Sequence, residues 1–447
     1  PPPIDERTRM PRFASLLLAL ALLGAPAWAS AQATDRVDTQ RPDAPELAAY
    51  GAHDVGVRTL QLVDEGRPDL LNAAEGEATP SYDRPLTVEV WYPAALPDGV
   101  DPGGTYVVNT RDGVTQALLT GRAVRDAPPA AAGAPFPLVI VSHGYPGNRF
   151  LLAHLTENLA SKGFVVASID HTDSTYADQA AFASTLYNRP LDQLFVLDEM
   201  ERLGAAEEGF LAGMLDTSRT AIVGYSMGAY GAVNVIGGGF AEAAVDLPFA
   251  PPNRLLAEHQ AGAETFEARR DPRVVAAIAI APWGMNVGFW DAEGLAGIDT
   301  PVMFMAGSID DVAGYENGIR AIYEGAVNAE RYLLTFVNAN HNAAAPIPAP
   351  RAAWLTGRYD HYADPVWDNV RMNNVAQHFA TAFLRLHLYE DDAMAPYLDL
   401  VQNAADGVWS VDDAGVPTEE HSYWTGFQNR TAVGLILEYD PGAPAGE

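Results

Sequence analysis

The chain has 447 residues, 48% of them apolar, enough for one large domain or two with a sizeable core. With 27 basic against 58 acidic residues the formal net charge is −31, which excludes a nucleic-acid binder that needs clustered Lys and Arg. Cysteine is absent, so disulfides, thiol catalysis and Cys-based metal sites are excluded as well.

Residues 1–31 read as an export signal. Arg7, Arg9 and Arg12 supply positive charge, residues 13–23 form an apolar stretch of 11 residues, and Ala27-Trp28-Ala29 or Ala29-Ser30-Ala31 offers a small-x-small cleavage site. Met10 is a candidate true start, with residues 1–9 upstream of it. The stretch is short for a bilayer, so cleavage implies a secreted or periplasmic protein without a stable membrane anchor. A buried N-terminal helix is the competing reading. Residues 32–49, polar and rich in Pro and Ala, are expected to be a flexible leader. Residues 54–63 and 86–92 alternate apolar and polar side chains, the pattern of antiparallel strands at the start of a mixed sheet. Residues 93–135 are rich in Gly, Pro and Ala and are expected to be irregular, with one short helix near 116–119.

From residue 136 the pattern alternates. A buried-type strand at 137–142 is followed by a helix at 151–162, a strand at 164–169, a helix at 191–203 and a strand at 219–223. Residues 237–272 interrupt the rhythm and are a candidate lid or insertion. Strands at 274–281, 301–307 and 332–337 resume it, and 373–388 is the last core helix. Such alternation predicts an α/β domain over 50–390, with a mostly parallel, doubly wound sheet. Residues 391–447 form a C-terminal extension, with a strand pair expected from 407–411 and 432–439.

Chemistry concentrates where the expected strands end. Gly224-Tyr225-Ser226-Met227-Gly228 joins a strand to a helix through a tight turn with a serine at its apex. The strand at 137–142 runs into His143-Gly144-Tyr145-Pro146-Gly147, a Gly-rich loop able to aim an N–H at an oxyanion. The strand at 301–307 leads to Ser308-Ile309-Asp310-Asp311, and that at 332–337 to Asn338-Ala339-Asn340-His341.

Those residues in that order resemble the α/β-hydrolase superfamily. The nearest branch is that of dienelactone-hydrolase-like proteins, platelet-activating-factor acetylhydrolases and cutinase-type polyester hydrolases. Val88-Glu89-Val90-Trp91-Tyr92-Pro93, Ser142-His143-Gly144-Tyr145, the run from Leu159 to Ala167 and the Ser226 turn all look like that branch. The resemblance covers roughly residues 50–390; the long tail after His341 departs from compact cutinases.

Ser226 is the expected nucleophile, His341 its base and Asp310 the acid that orients the imidazole. Asp311 is the adjacent alternative, with the spacing from Gly307 favouring Asp310. His143 and His171 are rival histidines, set aside because His143 sits in the oxyanion loop and His171 follows an earlier strand. Met227 and Tyr145 are expected to give backbone N–H groups to an oxyanion hole. The resemblance further implies that Trp283 and the Tyr145 ring flank the acyl part of a substrate, favouring short or aromatic acyl groups. The run Asp170-His171-x-Asp173 suits a hydrogen-bonded loop better than a metal, and neither metal nor cofactor is expected. The leading function is a secreted serine esterase acting on small or polymeric esters through an acyl-enzyme. An amidase, a peptidase or a phospholipid acyl hydrolase would use the same triad, and a non-catalytic binding protein would keep only the fold.

Overall fold

A computed structural model describes residues 35–131, 133–179 and 182–443; the export-type stretch 1–31 lies outside them. Before the alternating half of the chain come β1 (Asp35–Arg36), β2 (Asp54–Pro68), β3 (Ser81–Ala94), β4 (Gly104–Asn109), β5 (Gln116–Gly121) and β6 (Val124–Arg125). There follow β7 (Phe136–Ser142), β8 (Val165–Asp170), β9 (Leu215–Tyr225), β10 (Val274–Ile280), β11 (Val302–Gly307), β12 (Arg331–Phe336) and β13 (Leu435–Asp440). The main sheet has ten strands in the order β13-β12-β11-β10-β9-β7-β8-β3-β2-β6, and β1-β5-β4 form a small second sheet.

Strands β8 to β12 pair in parallel through β7. β7 and β11 are buried along their whole length, because a parallel strand is covered on both faces and therefore reads as an unbroken apolar run. The long β2–β3 hairpin and β13 close the sheet with antiparallel pairs. Helix α1 (Ala153–Ser161) and the C-terminal helix Asn369–Tyr389 pack together against one face, and α2 (Phe182–Gly204) and α3 (Met227–Val235) against the other. This is the architecture implied by the α/β-hydrolase resemblance. It brings the ends of β7, β9, β10, β11 and β12 to one edge, the edge at which open α/β sheets bind ligands.

Four expectations need correction or refinement. The stretch 116–119 is strand rather than helix: Ala117 and Leu119 face inward while Gln116 and Leu118 face out, and β4 and β5 form a hairpin. Its turn is set by Asp112, whose Oδ1 accepts the N–H groups of Val114 at 3.1 Å and Thr115 at 2.8 Å. Residues 35–49, expected to be loose, are tied down by polar side chains: Gln40 donates to Gln377 at 2.9 Å and Asn374 to the Thr39 carbonyl at 3.1 Å. The C-terminal strand pair does not form between 407–411 and 432–439. β13 adds antiparallel to β12, burying Leu435 and Leu437, while Val411 bridges Pro417. Segment 237–272 consists of short helical turns seated on the body through Phe240, Leu256 and His259, all buried.

Lys162 is the only lysine in the sequence. It is half-buried at the end of α1, where its ammonium donates to Asn158 Oδ1 and Thr381 Oγ1, each at 2.7 Å, and to the Leu47 carbonyl. Burial pushes its pKa down to about 7. No helix among the described residues is long and apolar enough to cross a membrane.

Candidate active site

The turn between β9 and α3 holds Ser226 at φ 53° and ψ −112°, a conformation that costs a non-glycine residue about 1–3 kcal/mol. Its neighbours leave room for nothing larger than glycine. A Cβ on Gly224 would lie 2.4 Å from the Gly228 carbonyl carbon, and one on Gly228 would lie 1.9 Å from the Ser142 carbonyl oxygen. The bend is held from outside as well: Ser226 N–H donates to the Ile280 carbonyl at 2.9 Å, and the Ser226 carbonyl takes the first helical bond from Tyr230 at 2.9 Å.

The loops after β11 and β12 bring Asp310 and His341 to this serine. His341 Nε2 lies 3.0 Å from Ser226 Oγ, and His341 Nδ1 lies 2.8 Å from Asp310 Oδ2. Asp310 Oδ1 accepts the N–H groups of Val312 at 2.9 Å and Ala313 at 2.8 Å. Burial opposes ionisation of Asp310, but the His341 contact and those two N–H donors hold it below the usual carboxylate range. The carboxylate thus faces Nδ1–H, which leaves Nε2 free to accept the serine proton. Asp311 is exposed and reaches the site through its backbone: its N–H donates to Asn340 Oδ1 at 3.0 Å.

Sequence reasoning passed over Asn340 and Asp364. Asn340 Oδ1 also accepts His341 N–H at 2.6 Å, so one amide ties the acid loop to the histidine loop. Asp364 Oδ2 in turn takes Asn340 N–H at 2.7 Å. The recurrence of Asn in Asn338-Ala339-Asn340-His341 is the one local signal for this role. Tyr225, the residue before Ser226 in the turn, lays its ring 5.3 Å from that of His341 and donates to Asn342 Oδ1 at 3.0 Å.

Ser226 and His341 open into a cleft of about 570 Å³ whose wall includes Tyr145, Val312, Tyr359, His361 and Asp364. Met227 begins α3, so its N–H has no intrahelical acceptor. Neither it nor Tyr145 N–H donates to a protein acceptor among the described residues. Trp283 does not line this cleft. Tyr145 and Trp283 instead each pack edge-on against Phe182, at 5.2 and 5.4 Å between ring centroids.

The two rival histidines are accounted for elsewhere. His171 Nδ1 lies 2.9 Å from Asp192 Oδ2 and its Nε2 lies 2.8 Å from Ser142 Oγ, a second Ser–His–Asp line. Ser142, His171 and Asp192 are all at most 1% exposed, so no substrate reaches them. Arg84 grips Asp192 at 2.9 and 3.0 Å, and burial holds His171 neutral with a pKa of about 3. His143 Nδ1–H donates to the Gly144 carbonyl at 2.6 Å, and its Nε2 accepts His171 N–H at 3.3 Å. Asp170 pairs with Arg149, and Asp173 with Arg84 at 3.1 Å and Ser184 at 2.6 Å, so the acids around His171 turn to different partners. Among the described residues no group of three or more His, Asp or Glu is arranged to hold a metal ion.

A family model described as PET hydrolase-like matches residues 104–254, a span that contains the Ser226 turn and ends before Asp310 and His341. The cutinase est1 of Thermobifida alba is 24% identical over 206 residues, covering 46% of this chain and 53% of the relative. Cutinase 2 of Thermobifida cellulosilytica is 24% identical over 185 residues, covering 41% and 52%. The chain thus spans about half the length of the curated relatives it matches. Among solved structures, a ferulic acid esterase from Streptomyces cinnamoneus superposes with a TM-score of 0.53 at 23% identity, covering 80% of this chain and 94% of that one, a likeness of fold. The fold is that of the α/β-hydrolases, and the matched segment and curated relatives give the chain a likeness to the cutinase-type, polyester-hydrolase-like branch.

Proposed function

We propose that the protein is a serine hydrolase of carboxylic esters. The observation that carries this reading is the hydrogen-bonded line from Ser226 through His341 to Asp310, with its serine end open to a cleft. Ser226 Oγ attacks the ester carbonyl carbon as its proton passes to His341 Nε2. The tetrahedral oxyanion is met by the N–H groups of Met227 and Tyr145, each worth roughly 3 kcal/mol in the transition state. His341 then returns the proton to the leaving alkoxide, which departs as the alcohol and leaves an acyl-serine. A water, deprotonated by the same imidazole, releases the acid and restores the serine. Asp310 keeps the proton on Nδ1 throughout and stabilises the imidazolium that forms between the two transfers. The likeness to cutinases adds support for ester, and for polymeric ester, over amide.

Pre-steady-state hydrolysis of p-nitrophenyl acetate tests the reading. A burst of nitrophenol matching the enzyme concentration is expected, and S226A should lose at least roughly a thousandfold in turnover. S226A with wild-type turnover in a clean, folded preparation would refute it. Export is proposed on the signal-like pattern of residues 1–31. It is checked by mass spectrometry of the mature N-terminus, and a cell-retained, uncleaved chain would count against it.

A further inference from the structure

The ring packing beside Ser226 bears on substrate size, on the ester-hydrolase reading above. Tyr145 follows the oxyanion-loop glycine, and Trp283 N–H donates to the Ser226 carbonyl at 3.4 Å, so both aromatic residues flank the serine. The space that joins them is filled. Phe182, the first residue of α2, stands edge-on to Tyr145 at 5.2 Å and 66°, and to Trp283 at 5.4 Å and 84°. Phe249, from segment 237–272, backs it at 5.9 Å and touches Trp283 at 6.4 Å. Of these four rings Tyr145 alone lines the open cleft. All four are only partly buried, so the cluster sits at the rim of the site and not in the core.

We propose that Phe182 is a specificity-determining residue that walls off the acyl side of the site, admitting short acyl groups and excluding aromatic ones. The Phe side chain is a benzyl group, and its ring occupies the place between two aromatic edges where a benzoyl ring would gain the same edge-to-face contacts. Truncating it opens a benzene-sized apolar notch between the Tyr145 and Trp283 rings, where an aryl acyl group can pack edge-on against both. Acetyl esters have no group that reaches so far and are indifferent to the change.

The test compares kcat/KM for p-nitrophenyl acetate and p-nitrophenyl benzoate in the full chain, its F182A variant and its F182L variant. F182A should raise the benzoate-to-acetate ratio at least ~10-fold, with acetate itself within ~3-fold of wild type. F182L, which fills part of the void, should give a smaller rise in the same direction. If F182A loses its thermal transition, F182L decides: a raised ratio supports the proposal and an unchanged one overturns it. A ratio unchanged or lowered in both folded variants overturns it, as does a wild type that takes benzoate as readily as acetate. Wild type inert toward both esters would overturn the ester-hydrolase reading, and this proposal with it.

Discussion

Replacing Asp310 with Asn removes one charge and tests the whole line of proton transfer. The Asn side chain has two ways to sit. In one, its amide oxygen takes the Oδ1 place, where the N–H groups of Val312 and Ala313 arrive at 2.9 and 2.8 Å. Its NH2 group then faces His341 Nδ1, now 2.8 Å away, and the imidazole must carry its proton on Nε2, against Ser226. That tautomer cannot accept the serine proton. In the other, the amide is flipped and restores the productive tautomer, but the N–H groups of Val312 and Ala313 face a donor. The buried Ala313 group alone costs about 1–3 kcal/mol. Loss of the charge that stabilises the imidazolium adds to either arrangement. D310N should therefore fall by about 10³ to 10⁴ in kcat for p-nitrophenyl acetate, the order found when the same change forces the wrong tautomer elsewhere. D311N should stay within ~3-fold, because Asp311 is exposed and serves through its N–H, which the substitution keeps. Thermal midpoints measured alongside separate chemistry from folding. Equal losses in the two variants, or the larger loss in D311N, would refute the reasoning and move the acid.

G228A should destabilise the fold by ~3 kcal/mol or more, since the new Cβ would lie 1.9 Å from the Ser142 carbonyl oxygen and α3 would have to lift from β7. Calorimetry checks it, and a wild-type melting temperature would contradict it. Lys162 gives a pH dependence of definite sign: it keeps its proton to about 7 when folded and to ~10.4 when unfolded. The unfolded chain thus binds more protons between those values, and stability should rise with pH, by about 2 kcal/mol from pH 7.5 to 9.5. Denaturant unfolding of wild type against K162M measures this, and equal slopes for the two would reject the assignment.

The parallel core was legible in the sequence because a strand buried on both faces leaves an unbroken apolar run, as in Leu138-Val139-Ile140-Val141, whatever packs against it. The Ser226 turn was legible because backbone crowding at Gly224 and Gly228 forbids other residues there. Asp310 and His341 could be named from chain order, and their side chains meet Ser226 in one hydrogen-bonded line. The β4–β5 hairpin was missed because its strands are only six residues long and sit among prolines and glycines that mimic a loop. The anchoring of residues 35–49 left no apolar trace, since Gln40, Asn374 and Gln377 hold it through polar side chains distant in sequence. Phe182 was invisible for a different reason. Nothing near it in the chain says that its ring falls between two others that lie 37 residues upstream and 101 downstream.

Every lysine or arginine position except Lys162 is arginine, so the chain offers amine reagents one half-buried lysine. Guanidinium groups hold their charge past pH ~12, so the positive side of the surface ion pairs stays constant through the alkaline range. Amine-directed cross-linkers and immobilisation supports, which attach ordinary proteins through many lysines, would find only the chain's amino terminus and one half-buried ammonium held by three acceptors. Acylation of Lys162 then becomes a clock for local opening. It should quicken when the segment carrying Leu47 lifts from α1 and the helix Asn369–Tyr389, and its rate would report that motion free of background from any other lysine.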